Sequence, residues 1–272
     1  MPLATLHDGT RVHCLVRSEA LVLDSHVSGY FGQGLELNDG DVILDVGANI
    51  GIFGVRAIQR IPNATVYAFE PVSEIFQTLE QNSKMHGDGQ IVPLPYGASS
   101  TPKQMTIQYY PKSPALSTGH PEFWDDNPEM LEHAVEGALE NAPNHMWYAR
   151  WIPTRISKWV ARWLRSGAKS VICELVTISS IIERYDIETI DLLKVDCEGA
   201  ELEALKGIQK DHWPRIQHVI AEVHDIEGRL NEVITLLKQH GLSDIIVEKE
   251  PGFEQTPLCN VHARRYRPIG TP

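Results

Sequence analysis

The chain has 272 residues, of which 42% are hydrophobic and 22% charged, and it carries a formal net charge of −12 at pH 7. This length can bury the core of one elaborated domain, while the lack of a long apolar stretch argues against a membrane protein and the acidic charge argues against a nucleic-acid substrate. The four cysteines are too scattered to predict disulfides or a thiolate zinc site, and the N-terminus lacks the features of a secretory signal, so we expect a cytoplasmic protein.

The first 110 residues divide into an N-terminal extension and the start of an alternating pattern. Residues 1–37 form the extension, in which two short strands are predicted around the turn signal Asp8-Gly9. From Asp41 onwards, apolar runs typical of buried strands alternate with helical periodicity. The predicted elements are strands at 3–7, 12–16, 42–44, 65–69 and 91–94 and helices at 50–61 and 72–85.

The alternation resumes near residue 173. Ile178, Ile181, Ile182 and Tyr185 have the i, i+3, i+4, i+7 spacing of a helical stripe. The remaining predicted elements are strands at 190–195, 219–223, 245–248 and 259–263 and helices at 200–208 and 230–237. Strands that alternate with helices form a parallel sheet covered on both faces, and the last two strands should form an antiparallel hairpin at its edge. We therefore predict a doubly wound α/β domain with its core at 38–110 and 173–272.

Residues 111–172 interrupt this alternation. Six prolines punctuate the segment, and four of the six tryptophans of the chain lie between Trp147 and Trp163. An apolar stripe at helical spacing runs through 156–164. An insertion of this length in a compact domain is usually a lid or a docking element, and we predict a helical lid.

The segment 44–51, Leu-Asp-Val-Gly-Ala-Asn-Ile-Gly, lies where the first core strand turns into a helix. Gly47 and Gly51 permit a sharp bend, and in a doubly wound sheet this bend is where a nucleotide-like ligand binds. Glu70 ends the next strand, from which a carboxylate can accept both hydroxyls of a ribose. The Gly-x-x-x-Gly spacing is not that of a pyrophosphate loop, and Asp45 would repel a diphosphate but attract the sulfonium or ammonium of S-adenosylmethionine. A tight turn without a ligand is the alternative.

Three motifs resemble those of the FkbM-like methyltransferases in order and spacing. They are Asp-Val-Gly-Ala-Asn-Ile-Gly at 45–51, Ala-Phe-Glu-Pro at 68–71 and Leu-Lys-Val-Asp-Cys-Glu-Gly-Ala-Glu at 193–201. Residues 222–225 and 263–265 are similar to the branch that works within or beside modular polyketide and peptide synthetases. The resemblance covers about residues 20–266, and it departs at Cys197, where valine is more usual. It implies a class I, Rossmann-like methyltransferase fold with a seven-stranded sheet and O-methylation of a small-molecule or carrier-bound hydroxyl. A freestanding enzyme and an excised domain both stay open.

The resemblance and the position of the bend together assign the cofactor site. The expected cofactor is S-adenosylmethionine, with S-adenosylhomocysteine as product. The residues expected to contact it are Asp45, Gly47, Ala48, Asn49, Gly51, Glu70, Pro71, Gly97, Ala98 and Asp196.

Methyl transfer to a hydroxyl requires a base that removes the proton. Asp196 and Glu198 follow one predicted strand, and His224 follows the next, so the carboxyl edge of the sheet should hold all three. Because the unperturbed pKa of imidazole suits this task, we predict His224 as general base, with Glu198 or Asp196 orienting it and Glu222 as a further candidate. A helix-capping or solvent-facing His224 is the alternative.

A divalent metal is possible at the same residues but not favoured. Asp196, Glu198, Glu222 and His224 offer the oxygen and nitrogen ligands that Mg²⁺ or Mn²⁺ would need to polarise a hydroxyl. They lack the short fixed spacing that makes a ligand set convincing. Other open alternatives are an N-methyltransferase and a cofactor-binding module without catalysis.

The two halves of the insertion carry charges of opposite sign. Acidic residues crowd 122–140, whereas 145–173 contains six arginines and lysines and no acid. Two lid helices that attract each other would explain this pattern. An alternative is that the basic face binds an acidic carrier protein, while Trp147, Trp151 and Trp159 close over the substrate. A helix lying on a membrane surface is a third reading, which so acidic a chain disfavours.

Overall fold

The computed structural model describes residues 1–32, 35–121, 131–132, 135, 155–249 and 256–265, in which strands and helices alternate much as predicted. The strands are β1 (Leu3–Thr5), β2 (Arg11–His13), β3 (Val42–Val46), β4 (Thr65–Phe69), β5 (Ile91–Leu94), β6 (Gly97–Ala98), β7 (Lys103–Tyr109), β8 (Lys169–Val176), β9 (Ile190–Val195), β10 (Ile216–His224), β11 (Leu242–Glu248) and β12 (Leu258–Arg265). The helices are α1 (Arg17–Tyr30), α2 (Ile52–Arg60), α3 (Ser73–His86), α4 (Arg155–Arg165), α5 (Ile178–Arg184), α6 (Glu201–Lys206) and α7 (Arg229–Gln239).

Seven strands form the main sheet, in the order β11-β12-β10-β9-β3-β4-β5. The five strands from β10 to β5 run parallel, whereas β12 runs antiparallel to both of its neighbours. The predicted parallel sheet with an antiparallel C-terminal hairpin is therefore confirmed, and with it the class I methyltransferase fold. β5 accommodates Pro93 because it is an edge strand, where a missing N–H donor is tolerated.

Helices cover both faces of this sheet. α1, α2 and α3 pack on one face, and α5, α6 and α7 pack on the other. Ile43 and Leu192 belong to the first face and their neighbours Leu44 and Leu193 to the second, because side chains alternate along a strand. All four side chains are fully buried, and each contributes about 1.5–3 kcal/mol. The parallel register brings the ends of β3, β9 and β10 to one edge of the sheet.

The N-terminal extension contains an unpredicted 14-residue helix, α1. Its buried residues are Ala20, Asp24, Val27 and Tyr30. Asp24 is 3% exposed, and its Oδ1 accepts a hydrogen bond from Nε of Arg56 in α2 at 2.7 Å. Because an ion pair occupies part of the buried face, α1 has no continuous apolar stripe that periodicity would detect.

A second sheet of three strands, in the order β6-β8-β7, adjoins the segment predicted as an insertion. β7 and β8 pair antiparallel, so the chain leaves and re-enters the core as two neighbouring strands. The predicted boundary at residue 172 falls inside β8, which begins at Lys169.

α4 matches the helix predicted within the insertion, but three of its large apolar side chains are exposed. Ile156 is 42% exposed, Trp159 66% and Trp163 45%, whereas Ser157 and Ala161 are buried. Within the described ranges, no helix combines the length and the hydropathy that crossing a bilayer requires.

Candidate active site

A cavity of about 590 Å³ lies at the edge of the sheet where β3, β4 and β9 end. This volume is within the range of about 300–1,000 Å³ that is usual for small-molecule and cofactor sites. The predicted site residues that line it are Gly47, Ala48, Asn49, Glu70, Pro71, Gly97, Ala98, Asp196, Glu198 and Glu222. Asp45, Gly51 and His224 are also in the described part of the chain, but they do not line this cavity.

The bend after β3 brings backbone to the cavity wall. Gly47 has φ +83°, and the N–H groups of Gly47 and Ala48 both donate to the carbonyl oxygen of Phe69 at the end of β4, at 3.2 and 2.8 Å. Asn49 has φ +50°, and its Oδ1 accepts a hydrogen bond from the N–H of Ile50 at 2.7 Å. These bonds hold the bend open towards the cavity in the position predicted from the sequence.

Gly51 has a packing role in place of the predicted cofactor contact. It precedes α2 with φ +85°, a conformation that side chains disfavour. A Cβ atom at this position would lie 2.6 Å from Cδ1 of Leu79 in α3. The glycine therefore allows α2 to start close to α3.

Glu70 provides a buried carboxyl group at the end of β4. The residue is 5% exposed, and its Oε1 accepts a hydrogen bond from the N–H of Val72 at 2.9 Å. Burial raises the pKa of Glu70 to about 8, although the backbone hydrogen bonds that it accepts oppose the shift. A carboxyl group here can accept hydrogen bonds from the hydroxyls of a ribose, the role predicted for Glu70.

Glu70→Gln should remove a pH dependence from the stability of the cofactor-free protein. The folded state keeps the Glu70 proton up to a pKa of about 8, whereas the unfolded chain releases it near 4.5, so the free energy of unfolding falls as pH rises between these values. The limiting slope is about 1.4 kcal/mol per pH unit. Glutamine keeps an acceptor oxygen for Val72 but carries no proton to lose. Urea unfolding of both proteins at pH 5 and pH 8 measures the difference, and equal slopes would show that Glu70 is ionised in the folded protein.

Asp45 lies against Lys194 rather than in the cavity. The register of β3 with β9 places the two residues side by side, with Oδ1 of Asp45 3.0 Å from Nζ of Lys194. Asp45 is 0% exposed and Lys194 3%, so the pair is shielded from water. Nζ of Lys194 also lies 3.4 Å from Oδ2 of Asp196, which does line the cavity. Asp196 lines the cavity and Asp45 does not, so Asp196 is the carboxylate that can attract a sulfonium there.

These groups fit S-adenosylmethionine. Glu70 offers a carboxyl group to ribose hydroxyls, the bend at Gly47 lets a ligand approach the backbone, and Asp196 and Glu222 bring negative charge to the same cavity. Negative charge suits the sulfonium and ammonium groups of this cofactor and would repel a diphosphate. Pro71 in the wall belongs to the same motif as Glu70.

His224 is in a different environment from the one predicted for a general base. It is 2% exposed, with Nδ1 3.5 Å from Oε1 of Glu201 and Nε2 3.7 Å from Oε2 of Glu198. Burial alone would lower the pKa of His224, but Glu201 and the other nearby carboxylates raise it to about 9. Because it is buried and does not line the cavity, this imidazole does not reach an acceptor bound there. Through its contacts with Glu198 and Glu201, His224 connects the segment after β9 to β10.

A histidine that was not among the predicted site residues, His26, lines the cavity from the unpredicted helix α1. Nε2 of His26 lies 2.8 Å from Oε2 of Glu222 and 2.7 Å from the hydroxyl oxygen of Tyr30. The Tyr30 hydroxyl also donates towards Oε2 of Glu222 at 3.0 Å and Oδ2 of Asp196 at 3.2 Å. The i, i+4 spacing of His26 and Tyr30 is the sequence signal for this pair, but it has meaning only once residues 17–30 are known to be helical.

The same cluster offers ligands for a divalent cation. Atoms of His26, Asp196 and Glu222 lie within 4.8 Å of one another, so the histidine of this set is not the predicted His224. The hydroxyl of Tyr30 lies among these atoms, and the ammonium of Lys194 lies 3.4 Å from Asp196. A cation would have to displace the hydroxyl and withstand the nearby positive charge.

The tryptophans predicted to close over a substrate are only partly described. Trp147 and Trp151 lie outside the described residues. Trp159 is 66% exposed on α4 and is not part of the cavity wall.

The chain resembles known methyltransferases over most of its length. The family model of the methyltransferase FkbM domain matches residues 45–243. The chain is 33% identical over 237 residues to the 31-O-demethyl-FK506 methyltransferase FkbM of Streptomyces tacrolimicus, covering 87% of this chain and 85% of that protein. It is 30% identical over 241 residues to the AMB antimetabolite synthetase AmbE of Pseudomonas aeruginosa, covering 87% of this chain but 11% of the synthetase. A solved structure of methyltransferase FkbM from Methylobacillus flagellatus covers 86% of this chain and 46% of that one, with 17% identity and a TM-score of 0.49.

The family match includes the bend after β3, the end of β4, and the segment that follows β9. These are the three places where the sequence motifs were found and where the cavity is lined. The chain is thus an S-adenosylmethionine-dependent methyltransferase that belongs to the FkbM family.

Proposed function

We propose that the protein transfers a methyl group to a hydroxyl of a small molecule or of a polyketide or peptide intermediate bound to a carrier protein. The supporting observation is one continuous cavity, which joins the bend at Gly47 and the carboxyl of Glu70 to the cluster of His26, Asp196 and Glu222. The first part fits the cofactor, and the second supplies groups that accept a proton. Methylation of a hydroxyl requires the cofactor and a proton-accepting group within reach of the same acceptor.

The residues of the chain supply orientation and proton transfer. When bound, S-adenosylmethionine supplies a methyl group on a positively charged sulfur. Asp196 and Glu222 stabilise positive charge in the cavity. An alcohol is a weak nucleophile until its proton leaves, so a base beside the acceptor accelerates the reaction by about 10²–10⁴-fold.

The relatives support this choice of acceptor. The name of the Streptomyces relative describes methylation of 31-O-demethyl-FK506. AmbE is a synthetase, in which the matching segment occupies a small part of a much longer chain. Transferred to this chain, these names favour an oxygen acceptor that is delivered either free or on a carrier.

The test is a methyl-transfer assay with isotopically labelled S-adenosylmethionine. Acceptors should be matched pairs in which the same carbon skeleton carries a hydroxyl or an amine, each offered free and as a carrier thioester. We expect labelled methyl ethers from the hydroxyl compounds, identified by mass spectrometry and NMR. Label on the amines alone would establish an N-methyltransferase, and cofactor binding by calorimetry without transfer to any acceptor would favour a binding module.

We also propose that α4 is the docking site of an acidic carrier protein. Lys158 and Arg162 are exposed on this helix, beside the exposed rings of Trp159 and Trp163. Nζ of Lys158 lies 3.4 Å from Oε2 of Glu132, so one of the two charges is partly balanced inside the insertion. A surface with both cations and aromatic rings suits a negatively charged protein partner.

Reversing both charges, as Lys158→Glu with Arg162→Glu, should lower kcat/KM for a carrier-bound substrate by about 10-fold or more, because electrostatic steering is lost. The value for the same substrate as a small soluble thioester should change little. Lys84→Glu with Lys238→Glu makes an equal change of net charge at exposed positions on α3 and α7 and serves as the control. Equal losses for both substrates would argue against docking at α4.

A further inference from the structure

His26 on α1 brings an imidazole to the wall of the cavity. Its side chain is 20% exposed, and Tyr30, one helical turn later, packs edge-on against it with ring centroids 5.1 Å apart. Tyr30 is itself buried and packs against Phe53 of α2. A rigid neighbour therefore holds the imidazole, while part of the ring stays reachable from the cavity.

Glu222 gives this imidazole a carboxylate partner. The carboxylate is largely buried, and its Oε2 lies 2.8 Å from Nε2 of His26. A carboxylate at this distance fixes the orientation of the ring and stabilises the imidazolium that forms when a proton is taken up. A histidine oriented by a third group in this way is the usual arrangement for activating a hydroxyl.

The charges around the cluster accommodate an added proton. The carboxylates of Asp45, Asp196 and Glu222 all act on the ammonium of Lys194. These three carboxylates carry more negative charge than the single ammonium can balance. An imidazolium at His26 is therefore attracted to the cluster, even when the sulfonium of the cofactor is nearby.

Neighbouring groups are less suited to the task. Burial works against ionisation of Asp196, but Lys194 and His26 hold its pKa below the ordinary value, which makes it a weak base. His7 also lines the cavity, but it is exposed and its Nε2 lies 3.3 Å from the hydroxyl of Ser25 rather than beside a carboxylate. His224 is buried outside the cavity wall between Glu198 and Glu201.

We propose that His26 is the general base that takes the proton of the acceptor hydroxyl, with Glu222 as its positioning residue. This inference rests on the proposed O-methylation. The O–H bond of the acceptor breaks and its proton passes to the imidazole ring. The oxygen electron pair forms the new O–CH₃ bond, and the C–S bond breaks with its electron pair going to sulfur. The products are a methyl ether, S-adenosylhomocysteine and an imidazolium that returns its proton to solvent.

The first test compares His26→Ala and His26→Gln with the wild type. We expect kcat to fall by about 10²–10³-fold in both, with the Kd for S-adenosylmethionine changed less than about 3-fold. His26→Gln keeps a polar side chain beside Glu222, so it controls for collapse of the cluster. Thermal unfolding checks that both variants are folded. Added imidazole should restore part of the turnover of His26→Ala, because the deleted ring leaves space for it.

The pH profile separates proton removal from structural damage. In the wild type, log kcat should fall as the pH is lowered, because His26 becomes protonated. This acidic limb of the pH profile should be absent from the His26 variants. His7→Ala is the matched control. It deletes the second histidine that the described residues contribute to the cavity wall, and its pH profile should keep the acidic limb.

A further readout needs no turnover. In NMR spectra of the cofactor-free protein labelled at histidine, the resonance that disappears in His26→Gln identifies His26, and its titration gives the pKa. Glu222→Gln should lower that pKa, because the imidazolium loses its carboxylate partner. An unchanged titration would overturn the role of Glu222.

The outcomes distinguish this inference from the proposed function. If the wild type methylates no hydroxyl, the proposed function fails. If it does so and the His26 variants keep both turnover and the acidic limb, His26 is not the base. If chelators abolish turnover and His26→Ala abolishes Mn²⁺ binding to the cofactor-free protein, measured by electron paramagnetic resonance, the cluster holds a cation and the assignment as base is overturned.

Discussion

Lys194→Met should destabilise the protein by about 3–5 kcal/mol, since removing one partner of a buried ion pair leaves an uncompensated charge. Lys194 is 3% exposed, and its Nζ lies 3.0 Å from Asp45, which is 0% exposed. Burial would lower the pKa of Lys194, but the carboxylates of Asp45 and Asp196 raise it. Because the folded pKa is raised, the contribution of Lys194 is fully present below the unfolded pKa of lysine for as long as Asp45 and Asp196 stay ionised. Urea unfolding at pH 7 measures the loss.

Two further variants test the cause of this loss. Asp45→Asn combined with Lys194→Met removes both charges and should recover much of the stability, which the double-mutant cycle quantifies. Lys84→Met deletes an exposed ammonium 3.9 Å from Glu80 in α3 and should cost only about 0.3–0.5 kcal/mol. The loss in Lys194→Met should also shrink towards pH 4, because Asp45 can then take up a proton. A loss below about 1 kcal/mol at pH 7 would contradict the buried-pair account.

The central strands could be predicted because an apolar run suffices to mark a strand that is buried on both faces. The predicted strands at 65–69 and 190–195 coincide with β4 and β9. β10 starts at Ile216, before the predicted start at residue 219, because Gln217 and His218 lie in the sheet but interrupt the apolar signal. α1 could not be predicted, because its inner face includes the ion pair of Asp24 with Arg56.

The cofactor part of the site follows from local motifs, but the catalytic part depends on contacts between distant segments. Gly47 and Glu70 each lie directly after a strand, so their place at the sheet edge follows from the chain order. The pairing of Asp45 with Lys194 depends on the register of β3 with β9, and the position of His26 depends on an unpredicted helix. His224 is at the predicted edge, but it does not line the cavity and its Nδ1 lies 3.5 Å from Oε1 of Glu201, which strand order does not reveal.

Gly47→Ala should prevent folding or destabilise the protein by more than about 4 kcal/mol, beyond the usual range for a single substitution. A Cβ atom at Gly47 would lie 1.6 Å from the carbonyl oxygen of Asp196. That oxygen is backbone, and the N–H of Asp196 donates to the carbonyl of Val46 at 2.9 Å, so neither strand end can move without breaking the contact between β3 and β9. Soluble yield and the urea midpoint measure the effect.

Gly40→Ala is the matched control, because Gly40 has nearly the same φ, +82° against +83°, but a Cβ there would meet nothing within 4 Å. The left-handed conformation alone costs a residue with a Cβ about 1–2 kcal/mol, so Gly40→Ala measures the conformational part of the loss. The difference between the two variants then measures the collision with Asp196. If Gly47→Ala were no worse than Gly40→Ala, the two strand ends would be further apart in solution than the structure shows. The bend that holds Ala48 and Asn49 against the cavity would then be free to change shape.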